Sequence, residues 1–280
     1  MFFWNKKKVE QPIQAIEEPI KEFNPYGLND VLHHIKRETG VDLFSKNSII
    51  ETKLRLFCER KSIDRFRKLF ENIQYDKELK QDLIDLVTVN ETYFYREESQ
   101  LQLAVSFALQ LPNVKILCAP CASGEEVYSL AMMLYNHNRL TQTFSILGID
   151  INAEAIEKAE AGIYSERSLH KLDIQLKERF FSPNDKMYRI KKENFPSLRF
   201  LKVNIFDPSF LEVGTFDIIF SRNMLIYFDD DFRLKTMERF SKLLKSDGKL
   251  FLGHADIVPE NRFFEKHSDH RLSYYTKRQL

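Results

Sequence analysis

The stretch Lys115–Asp150 constrains this chain more than any other. Two apolar runs of strand length, Val114–Cys118 and Phe144–Ile149, are joined by small residues around Gly124 and a helical pattern from about Glu125 to Tyr135; the second run ends on Asp150. Strand, tight turn, helix, strand and acid is the layout of a nucleotide-type site at the carboxyl edge of a parallel sheet. There the small residues let a ligand approach the backbone, the helix start offers free N–H groups, and the acid accepts both hydroxyls of a ribose. A dinucleotide fingerprint needs three glycines, and this loop has only Gly124. Glu125 and Glu126 also stand where a phosphate would want positive charge. A ligand with a ribose and a cationic amino-acid end suits the loop better, which points to S-adenosylmethionine. Taken alone, the stretch leaves one alternative open, an α/β turn that binds nothing.

The rest of the chain narrows the class. Its 280 residues allow one large domain and a small one. The net charge of +1 supplies no global field for nucleic acid or membrane. No apolar run approaches the roughly 20 residues of a membrane span, and the start MFFWNKKK lacks a signal-peptide core, so a cytoplasmic protein is expected. Cys118 and Cys121 form a C-x-x-C, but at a strand end rather than a helix start, and no second pair or His pair completes a zinc site. With Cys58 they read as small buried thiols, and no metal is expected.

Residues 1–25 are charged, carry Pro12 and Pro19 without a sustained period, and read as a disordered tail. Residues 26–87 read as a helical domain: Leu28–Thr39 stopping at Gly40, Ser48–Cys58, Ile63–Asn72 with Ser62 as its N-cap, and Asp76–Val87. Between Lys46 and Lys68, eight basic residues face three acidic ones; Lys46, Lys53 and Arg60 are seven apart and share a face if the helix is continuous. That stripe is either a solvated face or, together with Arg55, a docking face for an acidic partner. Nucleic acid fits less well, because no aromatic residues interleave with the stripe. Residues 88–112 are a linker and helix; its start, TVNETYFYREE, is able to reach over the strand ends.

From residue 113 strands and helices alternate as in a doubly wound sheet. After the helix Ala153–Ala161, residues 163–197 break the alternation with a turn at Asn184-Asp185 and an alternating run Met187–Lys191. A compact antiparallel insertion is expected there. The main sheet resumes at Leu198–Val203 and Phe216–Phe220. A helix over Asp231–Leu244, a turn at Ser246-Asp247-Gly248 and the strand Lys249–Gly253 follow, then an antiparallel pair at Phe263–His267 and Leu272–Lys277.

Five ordered motifs resemble the chemotaxis receptor methyltransferases, the CheR family. NETYFYRE resembles N-x-T-x-F-F-R-E, and CASGEEVYSLAM resembles C-S-T-G-E-E-P-Y-S-I-A-M. GIDINAEAIEKAEAGIY resembles D-I-D-x-x-x-L-x-x-A-x-x-G-x-Y, FDIIFSRNMLIYFD resembles F-D-x-I-F-C-R-N-V-x-I-Y-F-D, and LFLGHADIV resembles L-x-x-G-H-S-E. The likeness runs from about Tyr26 to the C-terminus. It implies a Rossmann-like class I methyltransferase domain at 113–280, preceded by an all-α domain and carrying a small antiparallel β insertion. It further implies that S-adenosylmethionine methylates glutamate side chains on the cytoplasmic helices of chemoreceptors, giving methyl esters.

By motif position, the resemblance implies that Asn90, Thr92 and Arg96 line the cofactor pocket, with Glu126 and Asp150 on the cofactor and Asp150 on its ribose. Asn204 and Ile205 lie near the adenine, Arg222 and Asn223 follow the fourth strand, and Tyr227 sits close to the methyl group. Arg96 and Tyr227 are the candidate catalytic residues. Lys46, Lys53, Arg55 and Arg60 gain the acidic receptor helices as a candidate partner, and a monomer is expected. Val127 replaces the usual proline, Tyr95 stands where phenylalanine is common, and Ala255-Asp256 replaces Ser-Glu, which leaves that last pair without an expected role. A methyltransferase of the same fold acting on RNA or another protein, and a non-catalytic module that binds S-adenosylmethionine, are the competing readings.

Overall fold

A computed structural model describes residues 23–44, 47–137, 143–195, 197–269 and 272–279. Most of the expected tail, and Lys46, lie outside the described residues. The Phe23 ring meets Phe66 edge-on at 4.8 Å.

Four helices come first: α1 (Leu28–Thr39), α2 (Asn47–Arg60), α3 (Phe66–Asn72) and α4 (Lys77–Val87). Helix α1 ends as its sequence requires, on Gly40 at φ 77°, where the N–H returns to the Lys36 carbonyl. Asp76 caps α4 by accepting from Leu79 N at 2.9 Å. The third helix departs from expectation. Ser62 caps nothing: it lies in a left-handed turn at φ 56°, and α3 starts only after Arg65. Ile63 is buried before the helix begins, so the chain spends three residues entering the core rather than continuing a helical face.

Helix α5 (Glu98–Ala108) then leads into β1 (Asn113–Cys118), α6 (Glu125–Asn136), β2 (Thr143–Asp150) and α7 (Ala153–Ala161). The insertion holds β3 (Ile163–Ser165), α8 (Ile174–Phe180), β4 (Phe181–Asn184) and β5 (Met187–Ile190). The chain returns through β6 (Leu198–Lys202), β7 (Phe216–Ser221), α9 (Asp230–Leu243), β8 (Leu244–Leu252), β9 (Phe264–Asp269) and β10 (Leu272–Lys277). The main sheet is ordered β6-β2-β1-β7-β8-β10-β9, and β10 runs antiparallel to both its neighbours. The order reverses between β1 and β7, the switch point where such sheets bind ligands. The insertion forms its own antiparallel sheet, β3-β5-β4. These features make the Rossmann-like class I arrangement with an antiparallel terminal strand.

Strand periodicity sorts the core into two layers. Leu117, Ile219 and Leu250 point into one cluster, and their neighbours Ile116, Ile218 and Phe251 into the other. The first cluster is continuous with the buried residues of α1–α4, including Leu32, Leu54 and Phe66, so the helical segment is sealed onto one face of the sheet. The turn expected at Ser246-Asp247-Gly248 is not a strand boundary. Strand β8 already pairs at Leu244 with Phe216, then slips so that Lys249 meets Ile218. Asp217 anchors the slip by accepting from Lys245 Nζ at 2.7 Å and from Lys115 N at 2.9 Å.

Candidate functional site

A cleft of about 970 Å³, its open mouth included, lies over the carboxyl ends of β1, β2, β6 and β7. All ten residues picked from the sequence for the cofactor and methyl region line it: Asn90, Thr92, Arg96, Glu126, Asp150, Asn204, Ile205, Arg222, Asn223 and Tyr227. The helical segment adds Thr39, Val41 and Val87, which sequence reasoning left out because none carries a chemical signal. With Ile149 and Ile205 they make apolar walls.

Asp150 is buried, and each carboxylate oxygen accepts one backbone N–H, from Ala122 at 2.8 Å and Asn152 at 2.9 Å. A carboxylate has about four acceptor positions, so acceptor capacity remains for the ribose hydroxyls. Burial pushes the Asp150 carboxyl above its usual 3.8, while the backbone bonds pull it back down. Protonation removes an acceptor, so affinity for S-adenosylhomocysteine is expected to fall on acidification, beginning at a higher pH than for an exposed aspartate. Calorimetric titrations across pH 5–8 check this, and Asp150→Asn is expected to lack that acid limb.

The loop before α6 works differently from its sequence reading. Pro120, Cys121 and Ala122 face the cleft, but Gly124 does not line it. A Cβ on Gly124 would meet Ala159 Cβ at 2.9 Å, and its φ is 91°, so this glycine serves the turn and helix packing rather than ligand approach. Cys118 and Cys121 are buried free thiols, and burial pushes both well above the usual thiol range. Among the described residues no cluster has the makings of a metal site.

Glu126 and Arg222, both expected at the cofactor, line the cleft and also pair with each other. Arg222 Nε donates to Glu126 Oε2, and its Nη1 donates to the Arg96 carbonyl at 2.9 Å. Both side chains are nearly sealed, at 4% and 9% exposure, so Arg222 is first of all the partner that makes a buried Glu126 tolerable. The other Glu126 oxygen, Oε1, is buried without a hydrogen-bond partner. An acceptor of that kind beside the cleft suits a cationic amino group. The donor set therefore fits S-adenosylmethionine at two ends: Asp150 for the sugar and Glu126 for the amino-acid ammonium.

Asn204 is committed elsewhere. Its Nδ2 donates to the Glu38 carbonyl at 2.7 Å and its Oδ1 accepts from Phe206 N, so its side chain ties β6 to the end of α1. Ile205, buried beside it, offers an apolar surface.

The linker is folded to place its polar residues. Phe94 is fully buried between Tyr164 and Phe181 of the insertion, both edge-on. Tyr95 and Glu97 take left-handed φ values of 58° and 52°, and Tyr95 N donates to Ser129 Oγ at 3.0 Å. Ala122 and Asn223 are left-handed as well. Of the four, Ala122 and Asn223 line the cleft, while Tyr95 and Glu97 flank Arg96, which does; backbone held there costs of order 1–3 kcal/mol each and gathers at functional sites. Arg96 is half-buried at the cleft; its Nη1 donates to the Glu91 carbonyl at 2.8 Å and its guanidinium lies 5.8 Å from the Tyr93 ring. Among the described residues it has no carboxylate partner. Burial, with Glu91 and Asp256 and against Arg96, holds the Tyr227 phenol above its usual range, so it stays a proton donor at neutral pH.

The basic stripe is away from the cleft. Lys53 and Arg60 are exposed on α2 and flank Leu56, itself 53% exposed, in a shallow depression with Glu59 and Leu86. Arg55 turns aside to Glu59 at 3.2 Å and toward the Phe23 ring. Ile49, 64% exposed, continues the row, so the face is apolar as well as basic, which charge counting did not reveal. Asp256, which had no expected role, accepts from the backbone N–H groups of Asn223, Gly253 and Ile226.

The model of the CheR methyltransferase SAM binding domain matches residues 90–272. A chemotaxis protein methyltransferase of Campylobacter jejuni is 42% identical over 89% of this chain and 95% of its own length. Chemotaxis protein methyltransferase 2 of Vibrio cholerae is 35% identical over 76% and 79%. That of Borreliella burgdorferi is 30% identical over 85% and 90%. The chain belongs to the CheR family of S-adenosylmethionine-dependent methyltransferases.

Proposed function

We propose that this protein methylates glutamate side chains on the cytoplasmic helices of chemoreceptors, forming carboxyl methyl esters. The observation that carries this is Arg96: of the two arginines at the cleft, Arg222 is bound up with Glu126, whereas Arg96 meets no carboxylate among the described residues and stands beside Tyr227. A guanidinium fork so placed suits an incoming carboxylate.

S-adenosylmethionine supplies a methyl group already activated by its sulfonium. The chain's own work is to hold and align. A free glutamate is ionised at neutral pH, so no general base is required. Asp150 and Glu126 hold the donor, Val41, Val87 and Ile149 exclude water, Arg96 orients and neutralises the acceptor carboxylate, and Tyr227 donates a hydrogen bond to it. Alignment of this kind supplies several kcal/mol of barrier reduction. All of these groups come from one chain, so a monomer suffices, and the cytoplasm is the compartment in which such receptor helices lie.

The docking face on α2 supports the same substrate. Ile49, Lys53, Leu56 and Arg60 follow helical spacing, and Leu86 beside them lies three residues before Val89, which lines the cleft. A helix that is acidic and partly apolar matches this path. Reversing charge at Lys53 and Arg60 to glutamate is expected to lower methylation of receptor fragments about tenfold at low salt, with the difference shrinking at high salt. An unchanged rate and salt slope rejects the docking role.

The test of the whole reading uses radiolabelled S-adenosylmethionine and cytoplasmic receptor fragments, followed by alkali. Label released by base identifies a carboxyl ester, as expected. Base-stable label on lysine, arginine or RNA rejects the glutamate reading.

A further inference from the structure

The loop after β8, Gly253-His254-Ala255-Asp256, is the one motif that the chemistry above leaves unused. Asp256 does not line the cleft. Its Oδ2 accepts from Asn223 N at 2.7 Å and from Gly253 N at 2.9 Å, and its Oδ1 accepts from Ile226 N at 3.3 Å. One carboxylate thus joins the end of β8 to the segment that follows β7. That segment carries five cleft residues, Arg222, Asn223, Met224, Tyr227 and Phe228.

The geometry around this carboxylate is specific. Asn223 takes φ 59°, a left-handed conformation that needs outside support, and its N–H makes the shortest of the three bonds. A Cβ on Gly253 would come within 2.8 Å of Asn223 N and 2.9 Å of Asp256 Oδ2, so the approach of the two loops depends on a bare backbone there. The far end of the segment is held separately, where the Tyr227 carbonyl accepts from Asp42 N at 2.8 Å. Lys36, paired with both Asp42 and Asp229 at 2.8 and 2.7 Å, steadies that second anchor. Between the two, Arg233 Nε donates to the Leu225 carbonyl at 3.0 Å, and Asp256 is the clamp on the side of Asn223.

From this we infer that Asp256 is a positioning residue for methyl transfer: it sets the Asn223–Tyr227 segment against the acceptor without touching substrate or cofactor. The inference rests on the substrate reading above. Asp150 and Glu126 lie on other elements, and Arg222, which holds Glu126, is fixed separately by the Arg96 carbonyl, so losing the Asp256 clamp disturbs the acceptor side far more than cofactor binding.

The test compares wild type, Asp256→Asn and Asp256→Ala by three readouts: turnover on receptor fragments at saturating S-adenosylmethionine, calorimetric affinity for S-adenosylhomocysteine, and amide exchange in the peptide 222–228. Asp256→Asn sets an NH2 group against backbone donors with no change of volume. It is expected to lower turnover about tenfold or more, leave affinity within about threefold, and speed exchange only around 222–228. Asp256→Ala is expected to do the same more strongly; where it fails to fold, Asp256→Asn decides. Wild-type turnover in both variants overturns the inference. So does a loss of turnover matched by an equal loss of affinity, which marks a merely structural residue. A wild-type protein that methylates no receptor fragment overturns the substrate reading beneath it, and so is told apart from failure of the clamp.

Discussion

Asp150→Ala is expected to weaken binding of S-adenosylhomocysteine by about 100- to 1,000-fold, or roughly 3–4 kcal/mol. Two effects add. The sugar loses two hydrogen bonds to an ionised acceptor, each worth about 1.5–3 kcal/mol before competition from water. The N–H groups of Ala122 and Asn152 also lose their shared acceptor, so the loop over the cleft loosens. Asp150→Asn separates the two, because one amide oxygen still accepts from the loop, and its loss is expected to be smaller. Titration calorimetry with the three proteins reads the series directly. Ordinary affinity in Asp150→Ala rules out the proposed clasp on the sugar.

Arg96→Met is expected to act on the reaction rather than on the cofactor. It keeps an unbranched apolar stem and removes the guanidinium with its charge. An acceptor carboxylate then enters a half-buried site without compensation, and kcat/KM is expected to fall at least 100-fold, about 2.7 kcal/mol of transition-state stabilisation. Affinity for S-adenosylhomocysteine is expected to move much less, because Glu126 and Asp150 stay in place. Steady-state kinetics on receptor fragments, paired with the same calorimetry, checks the split. A variant that loses affinity and turnover in equal measure would assign Arg96 to the cofactor instead.

How much of this was legible in the residues follows from how local each signal is. The limits of α1, α7 and β10 could be read to the residue because Gly40, Gly162 and alternating side chains mark them within one turn of chain. The gathering of ten site residues around one cleft was legible because they stand in the linker, just past a strand end, or, as Glu126 does, at the start of the helix after β1. What escaped depended on partners distant in sequence. Ser62 looks like a cap, but Ile63 must enter the core first. Arg222 is legible as a cleft residue, but not its pairing with Glu126, 96 residues earlier. Asn204 turns to a carbonyl 166 residues away. Gly124 resembles a ligand contact, whereas Ala159 is what crowds it. Asp256 looked like a lapse from the family pattern, yet three backbone groups from two loops depend on it.

The account makes one arrangement responsible for the rest: the sugar at Asp150, the ammonium at Glu126, and the sulfur facing Arg96 and Tyr227. A crystal structure of the protein with S-adenosylhomocysteine tests this most directly. The account predicts ribose hydroxyls on the Asp150 carboxylate, the amino group on Glu126 Oε1, and an open path from the sulfur to the Arg96 guanidinium. Density with the sugar away from Asp150, or with the sulfur turned from Arg96, would contradict it.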